Sequence, residues 1–143
     1  MKLVLELVKK VTLAVVRLPS SNPIPPWILS TVSTSNFVSI TKTSDELSIV
    51  CPESTVPEQA SSPEQKIEKG WVSFKVRGPL DFGLTGILAS LAAGLAAEGI
   101  SIFASSTYDT DYVLVKENTA DKAAEVLRKQ GHAIIGDDDD AEK

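Results

Sequence analysis

Few side chains in this sequence are equipped for chemistry, and their spacing narrows the choice further. The chain has a single histidine, His132, just past a predicted helix end, and a single cysteine, Cys51, inside an apolar strand-like run. No Cys/His cluster has metal-ligand spacing, and neither a Gly-rich phosphate loop nor a nucleophile elbow occurs. The cysteine reads as a core residue, and the histidine as a surface or capping residue rather than a general base. Asp109 and Asp111 place two carboxylates one residue apart in a polar turn, where Asp ordinarily bonds its own backbone. Asp137–Asp140 is an acidic run of the kind that stays solvated. No metal, cofactor or catalytic role is therefore expected. More suggestive is the loop Gly78–Gly83 running into Leu84, Thr85 and Gly86, at a predicted helix start. Such a start offers N–H groups without intrahelical partners and the positive end of the helix dipole, suited to a carboxylate or phosphate. Gly83 and Gly86 would let a ligand, or a neighbouring backbone, come close. On pattern alone, a ligand site and a tightly packed turn fit equally well.

The elements around this loop follow from periodicity. Trp71–Val76 alternates Val72, Phe74 and Val76 against Ser73 and Lys75, the pattern of a strand with one buried face. Leu84, Ile87, Leu88, Leu91 and Leu95 recur at helical spacing, and Gly99 stands where a left-handed cap is wanted. Ile100–Ala104 and Tyr112–Val115 read as strands around the polar turn Ser105–Asp111. Thr119 is positioned to cap a helix over Ala120–Gln130, which ends at Gly131, and Ala133–Ile135 closes the series. The order is β-α-β-β-α-β, the split ferredoxin-like arrangement of an α+β fold. Its open sheet face is assigned Ser73, Ser101 and Val113.

The first half is shorter. Leu3–Val8 and Thr12–Leu18 are two strands or one bent strand, Trp27–Leu29 a short helix at most, and Asn36–Thr43 and Glu46–Cys51 a hairpin. From Pro52 to Lys69 the composition shifts to Pro, Glu, Ser, Gln and Lys, as in a flexible linker. The expected organisation is thus an abbreviated unit over 1–51, a linker over 52–69, a complete unit over 70–136 and an acidic tail over 137–143. The abbreviated unit cannot cover its sheet alone, so the two should pack together.

Composition excludes several classes. The net charge of −5 comes largely from the last seven residues, which hold five acids and one Lys; the remaining residues carry 13 basic and 14 acidic groups. That is not the basic footprint of a nucleic-acid binder. Glu6, Lys9 and Lys10 interrupt the apolar N-terminus, leaving no signal-peptide core and no span of about 20 apolar residues. One cysteine allows no internal disulfide and fits a reducing, cytoplasmic setting.

The phrases TSDELSIVCPE, GPLDFGLTGILASLA and GISIFASSTYDTDYVLVKE, with the PPW of Pro25, Pro26 and Trp27, resemble the small tandem ACT-domain proteins. These are similar to the ACT modules of cytosolic arginine sensors and, more distantly, to the regulatory ACT pairs of aspartate kinases. The resemblance implies a ferredoxin-like βαββαβ fold, and a small-molecule ligand, usually an amino acid, bound where two ACT units lie side by side. It places the ligand against Asp81, Phe82, Gly83, Leu84, Thr85 and Gly86 on one wall, and against Thr107, Tyr108 and Asp111 on the other. A zwitterion fits, with its carboxylate on helix N–H groups and its ammonium near Asp111. The predicted helix carries no acidic side chain before Glu98, so arginine specificity is not implied. A non-catalytic regulatory module is expected, acting as a homodimer or through a protein partner. A purely structural protein with a vestigial pocket is the alternative.

Overall fold

A computed structural model describes residues 2–60, 62–77 and 86–136. The chain divides into two compact units, one of residues up to Val11 together with those from Val72 onward, the other of Thr12–Trp71. The expected boundaries at 51/52 and 69/70 are not where this division falls. The reason is β1, a single strand over Val4–Leu18 that contributes residues to both units. The single-strand alternative for the N-terminus is therefore the one adopted. A second long strand, β4 (Lys66–Val76), is likewise shared. It begins inside the expected linker, where Pro52 ends β3 and Glu53–Thr55 form a 3-10 turn. The Glu53 carboxylate accepts the Gly70 N–H at 3.0 Å, so both ends of that segment are built into structure.

In the smaller unit the second part of β1 is followed by α1 (Pro26–Leu29), β2 (Ser39–Lys42) and β3 (Leu47–Pro52). β3 pairs antiparallel with both β1 and β2. The expected hairpin is closed by Thr43, whose hydroxyl accepts the N–H groups of Asp45 and Glu46, each at 3.1 Å. Ala14, Val16, Leu18, Ile28, Leu47, Ile49 and Cys51 form the core of this unit. Burial pushes the Cys51 thiol up to about 11, so at neutral pH it is a protonated core side chain.

The larger unit contains α2 (Ile87–Ala97), β5 (Ile102–Ser106), β6 (Asp111–Lys116), α3 (Ala120–Lys129) and β7 (Ala133–Gly136), besides its shares of β1 and β4. The ferredoxin-like order of elements is present. Its strands run β7, β1, β4, β6, β5, so the first part of β1 stands between the strands that a lone βαββαβ unit would pair. β7 pairs parallel to it, from Val4 opposite Ala133 to Leu7 opposite Gly136. One core gathers Leu5, Leu7, Phe74, Val76, Leu91, Leu95, Val113, Val115 and Leu127. Val113 thus faces the core rather than the open face. Ser73 is buried too, since β4 is flanked by β1 and β6 and even a small side chain there is shielded.

One of the two expected helix caps forms and the other does not. Gly99, at φ +73°, does cap α2: the Ile100 N–H reaches the Leu95 carbonyl and the Gly99 N–H reaches that of Ala96, a Schellman pattern. Thr119 does not cap α3 with its side chain; its hydroxyl donates back to the Lys116 carbonyl at 2.9 Å. His132 is not a surface residue. It is 7% exposed, and its Nδ1 accepts the Leu3 N–H at 3.1 Å.

Candidate ligand site at the head of α2

The sequence reading put the site on the loop entering α2 and on the β5–β6 turn, and both belong to the larger unit. Asp81, Phe82, Gly83, Leu84 and Thr85 lie outside the described residues. Gly86 is described, and it moves the expected helix start. With φ +80° it is left-handed and cannot belong to a helix beginning at Leu84; it is the residue before the first turn of α2. Among the described residues no side chain caps this end, and no acidic residue sits in the first turn to meet the dipole. The apolar spacing Ile87, Leu91, Leu95 anchors the helix on the core and so fixes where its N-terminus stands.

The β5–β6 turn, the other wall expected from the sequence, bonds to itself. The Thr107 N–H and hydroxyl both donate to the Thr110 carbonyl, at 2.8 and 3.1 Å. In return the Thr107 oxygen accepts the Thr110 N–H at 3.3 Å. Across the strand ends the Ser106 hydroxyl donates to Asp111 Oδ1 at 2.6 Å. That leaves Asp111 with a second oxygen and spare lone pairs. Tyr108 projects from the tip, 82% exposed. Of the expected residues, the fold therefore brings Thr107, Tyr108 and Asp111 onto one turn and places Gly86 at the head of α2.

One residue at this place escaped sequence reasoning. Thr110 is 5% exposed, and its hydroxyl donates to the Val76 carbonyl at 2.5 Å. It ties the turn to the end of β4, the strand that leads toward the helix start. Its partner lies 34 positions away in the chain, so no local pattern signals the bond. A groove of about 490 Å³ opens elsewhere, between α2 and α3, beside Gly94, Glu98, Lys122, Glu125, Lys129 and Gln130. Lys129 there meets Glu125 at 3.4 Å, and Lys122 donates to the Glu98 carbonyl at 3.1 Å. No helix among the described residues is long and apolar enough to cross a membrane.

Comparison with known proteins bears on this geometry. A family model of the ACT domain matches residues 66–129, and a second model, of an N-terminal domain, matches residues 12–59. A crystal structure of an Agrobacterium tumefaciens protein is 36% identical, with a TM-score of 0.82, and the match covers 96% of this chain and 95% of that one. The aspartate kinase of Clostridium acetobutylicum is 15% identical, with a TM-score of 0.61; the match covers 82% of this chain but 32% of the kinase. The ligand-free regulatory subunit of aspartate kinase from Thermus thermophilus is 12% identical, with a TM-score of 0.58, over 87% of this chain and 95% of that one. At those two identities the likeness is one of fold. With the ACT domain matched on β4 through α3 and a near full-length relative alongside, the chain belongs to a family of ACT-domain proteins.

Proposed function

We propose that this protein is a non-catalytic regulatory module that binds a small zwitterion, an amino acid, at the head of α2. The observation that supports the reading is the helix start itself: Gly86 precedes a first turn with no acidic residue and, among the described residues, no side-chain cap. An α-carboxylate there would accept N–H groups and meet the positive end of the dipole. Asp111, with one oxygen held by Ser106, would offer the other to the ammonium group, a charge-assisted bond. Tyr108, Thr107 and the stretch from Asp81 to Thr85 complete the proposed surround. The module acts in the cytoplasm as a two-fold homodimer, or on a protein partner, and transmits occupancy through that contact. α2 holds no acidic side chain, which disfavours a guanidinium as the ligand's tail.

One observation favours a second reading, a structural protein with an empty pocket: the Thr107 hydroxyl is already used within its own turn. A thermal-shift screen against the twenty amino acids separates the two. A ligand at 100 times its dissociation constant should add about 2.7 kcal/mol of stability. Asp111→Asn keeps the acceptor for Ser106 and removes the charge, so it should fold normally and bind at least about tenfold more weakly, a loss of roughly 1.4 kcal/mol. No shift with any amino acid would favour the structural reading, and an unaltered response in Asp111→Asn would remove Asp111 from the site.

A further inference from the structure

From Ser106 to Asp109 every residue of the β5–β6 turn is exposed, and Thr110 is where the turn enters the protein. The N–H, carbonyl and hydroxyl of Thr110 are all engaged. Its N–H donates to the Thr107 oxygen, and its carbonyl accepts the Thr107 N–H and hydroxyl, so these three bonds close the turn on itself. Its hydroxyl has one proton to donate, and this goes to the Val76 carbonyl at the end of β4. β4 and β6 are neighbours in the sheet, and β6 begins at Asp111. Thr110 thus gives a β4 carbonyl a side-chain partner one residue before β6 starts, where a buried backbone acceptor needs one.

The end of β4 is itself firmly held. Val76 is buried in the core with Leu5 and Leu7. One residue further on, the Arg77 N–H donates to the Val4 carbonyl at 2.8 Å, and Arg77 Nε meets Glu6 Oε1 at 3.1 Å, both partners lying on β1. The turn stands at the margin of the sheet, since β5 ends the strand order beside β6. A turn so placed keeps its direction through what it buries, and Thr110 is the one buried residue among Ser106–Thr110.

We infer that Thr110 is a positioning residue for the proposed ligand site: its bond to β4 fixes where the turn presents Thr107, Tyr108 and the Asp111 carboxylate. Thr110 acts through the turn rather than on the amino acid. It directly precedes Asp111, and its partner Val76 comes shortly before Asp81–Thr85 in the sequence. One hydrogen bond therefore joins the strand leading to one proposed wall with the residue that begins the other, as a precise site requires of its supporting groups. This role rests on the amino-acid reading above, but the anchoring bond can be tested without it.

Thr110→Val keeps the shape of the side chain and removes the donor, whereas Thr110→Ser keeps the donor. Native-state amide exchange followed by NMR reads the turn directly. In Thr110→Val the amides at positions 107 and 110 should gain at least tenfold more in exchange rate than those of Val113–Val115. A general loss of stability would speed both sets alike. Thr110→Ser should restore the protection. Titration calorimetry with each amino acid that raises the wild-type melting point should show at least tenfold weaker binding by Thr110→Val and near wild-type binding by Thr110→Ser. Thr110→Ala removes the same donor without added bulk and should repeat both results, which covers a valine variant that does not fold. Turn amides that stay protected without the hydroxyl would overturn the anchoring. Faster exchange with undiminished amino-acid affinity would overturn the positioning role. A wild type that binds none of the twenty amino acids would overturn the ligand reading, and with it any site for Thr110 to position, while the exchange rates would still decide whether the bond anchors the turn.

Discussion

Single residues at this protein's joints work through bonds that cross long stretches of chain. Thr110 holds the β5–β6 turn to β4, and His132 accepts the Leu3 N–H where β7 meets β1. Because a backbone amide can only donate, Nδ1 must stay unprotonated and the proton of the neutral ring sits on Nε2. Burial, which disfavours the charged ring, lowers the His132 pKa below its ordinary value of 6.5. The unfolded chain therefore binds the proton more readily than the folded one. The contribution of His132 is complete above about pH 6.5 and is lost as pH falls from there toward the lower folded value. Urea midpoints should accordingly drop between pH 7.5 and pH 5.5. His132→Asn, which keeps an acceptor for Leu3 and cannot titrate in that range, should flatten the slope. An unchanged slope would assign the pH dependence to other groups.

At the scale of elements, α2 is the piece on which the proposed site depends, and Gly86 is its weak point. An added Cβ at Gly86 would meet none of the described residues within 4 Å, and the left-handed backbone is the clear obstacle to a substitution there. The cost lies in the left-handed backbone, about 1–2 kcal/mol for an ordinary L residue. Gly86→Val should lower stability by roughly that much in urea unfolding, while Gly86→Asn, which tolerates this conformation better, should cost less. Both should weaken amino-acid binding if the helix start holds the carboxylate. Equal stability of the Val variant and the wild type would show that the left-handed turn is dispensable. Gly94 differs: a side chain there would meet only the Gln130 amide, the far end of a flexible side chain that can turn aside.

For the whole molecule, the sharing of β1 between units has a consequence for cleavage. Pro57–Ala60 is exposed, between the 3-10 turn that ends at Thr55 and the start of β4 at Lys66. A glutamate-specific protease should cut first at Glu58 or Glu64, the acidic tail aside. The fragments should then co-migrate on gel filtration under native conditions. The N-terminal piece carries Leu5 and Leu7, which are buried in the same core as Phe74, Leu91 and Leu127 of the other piece. Fragments that separate as folded species would show that β1 does not belong to that core.

Much of this arrangement is written locally. Alternation at Val72, Phe74 and Val76, the spacing Ile87, Leu91, Leu95, the Thr43 turn and the Gly99 cap each act within a few residues, and each forms as the sequence alone implies. The turn bearing Thr107, Tyr108 and Asp111 was legible for the same reason. Pairing was not. A period of two says which side of a strand is apolar, but it names no neighbour, so nothing in Leu3–Val8 announces that it lies beside β7. The burial of His132 and Thr110 was hidden likewise, because their partners stand 129 and 34 positions away. Local patterns determined the elements of this protein; which strands became neighbours, and hence which polar atoms were buried and bonded, was decided only when the sheet assembled.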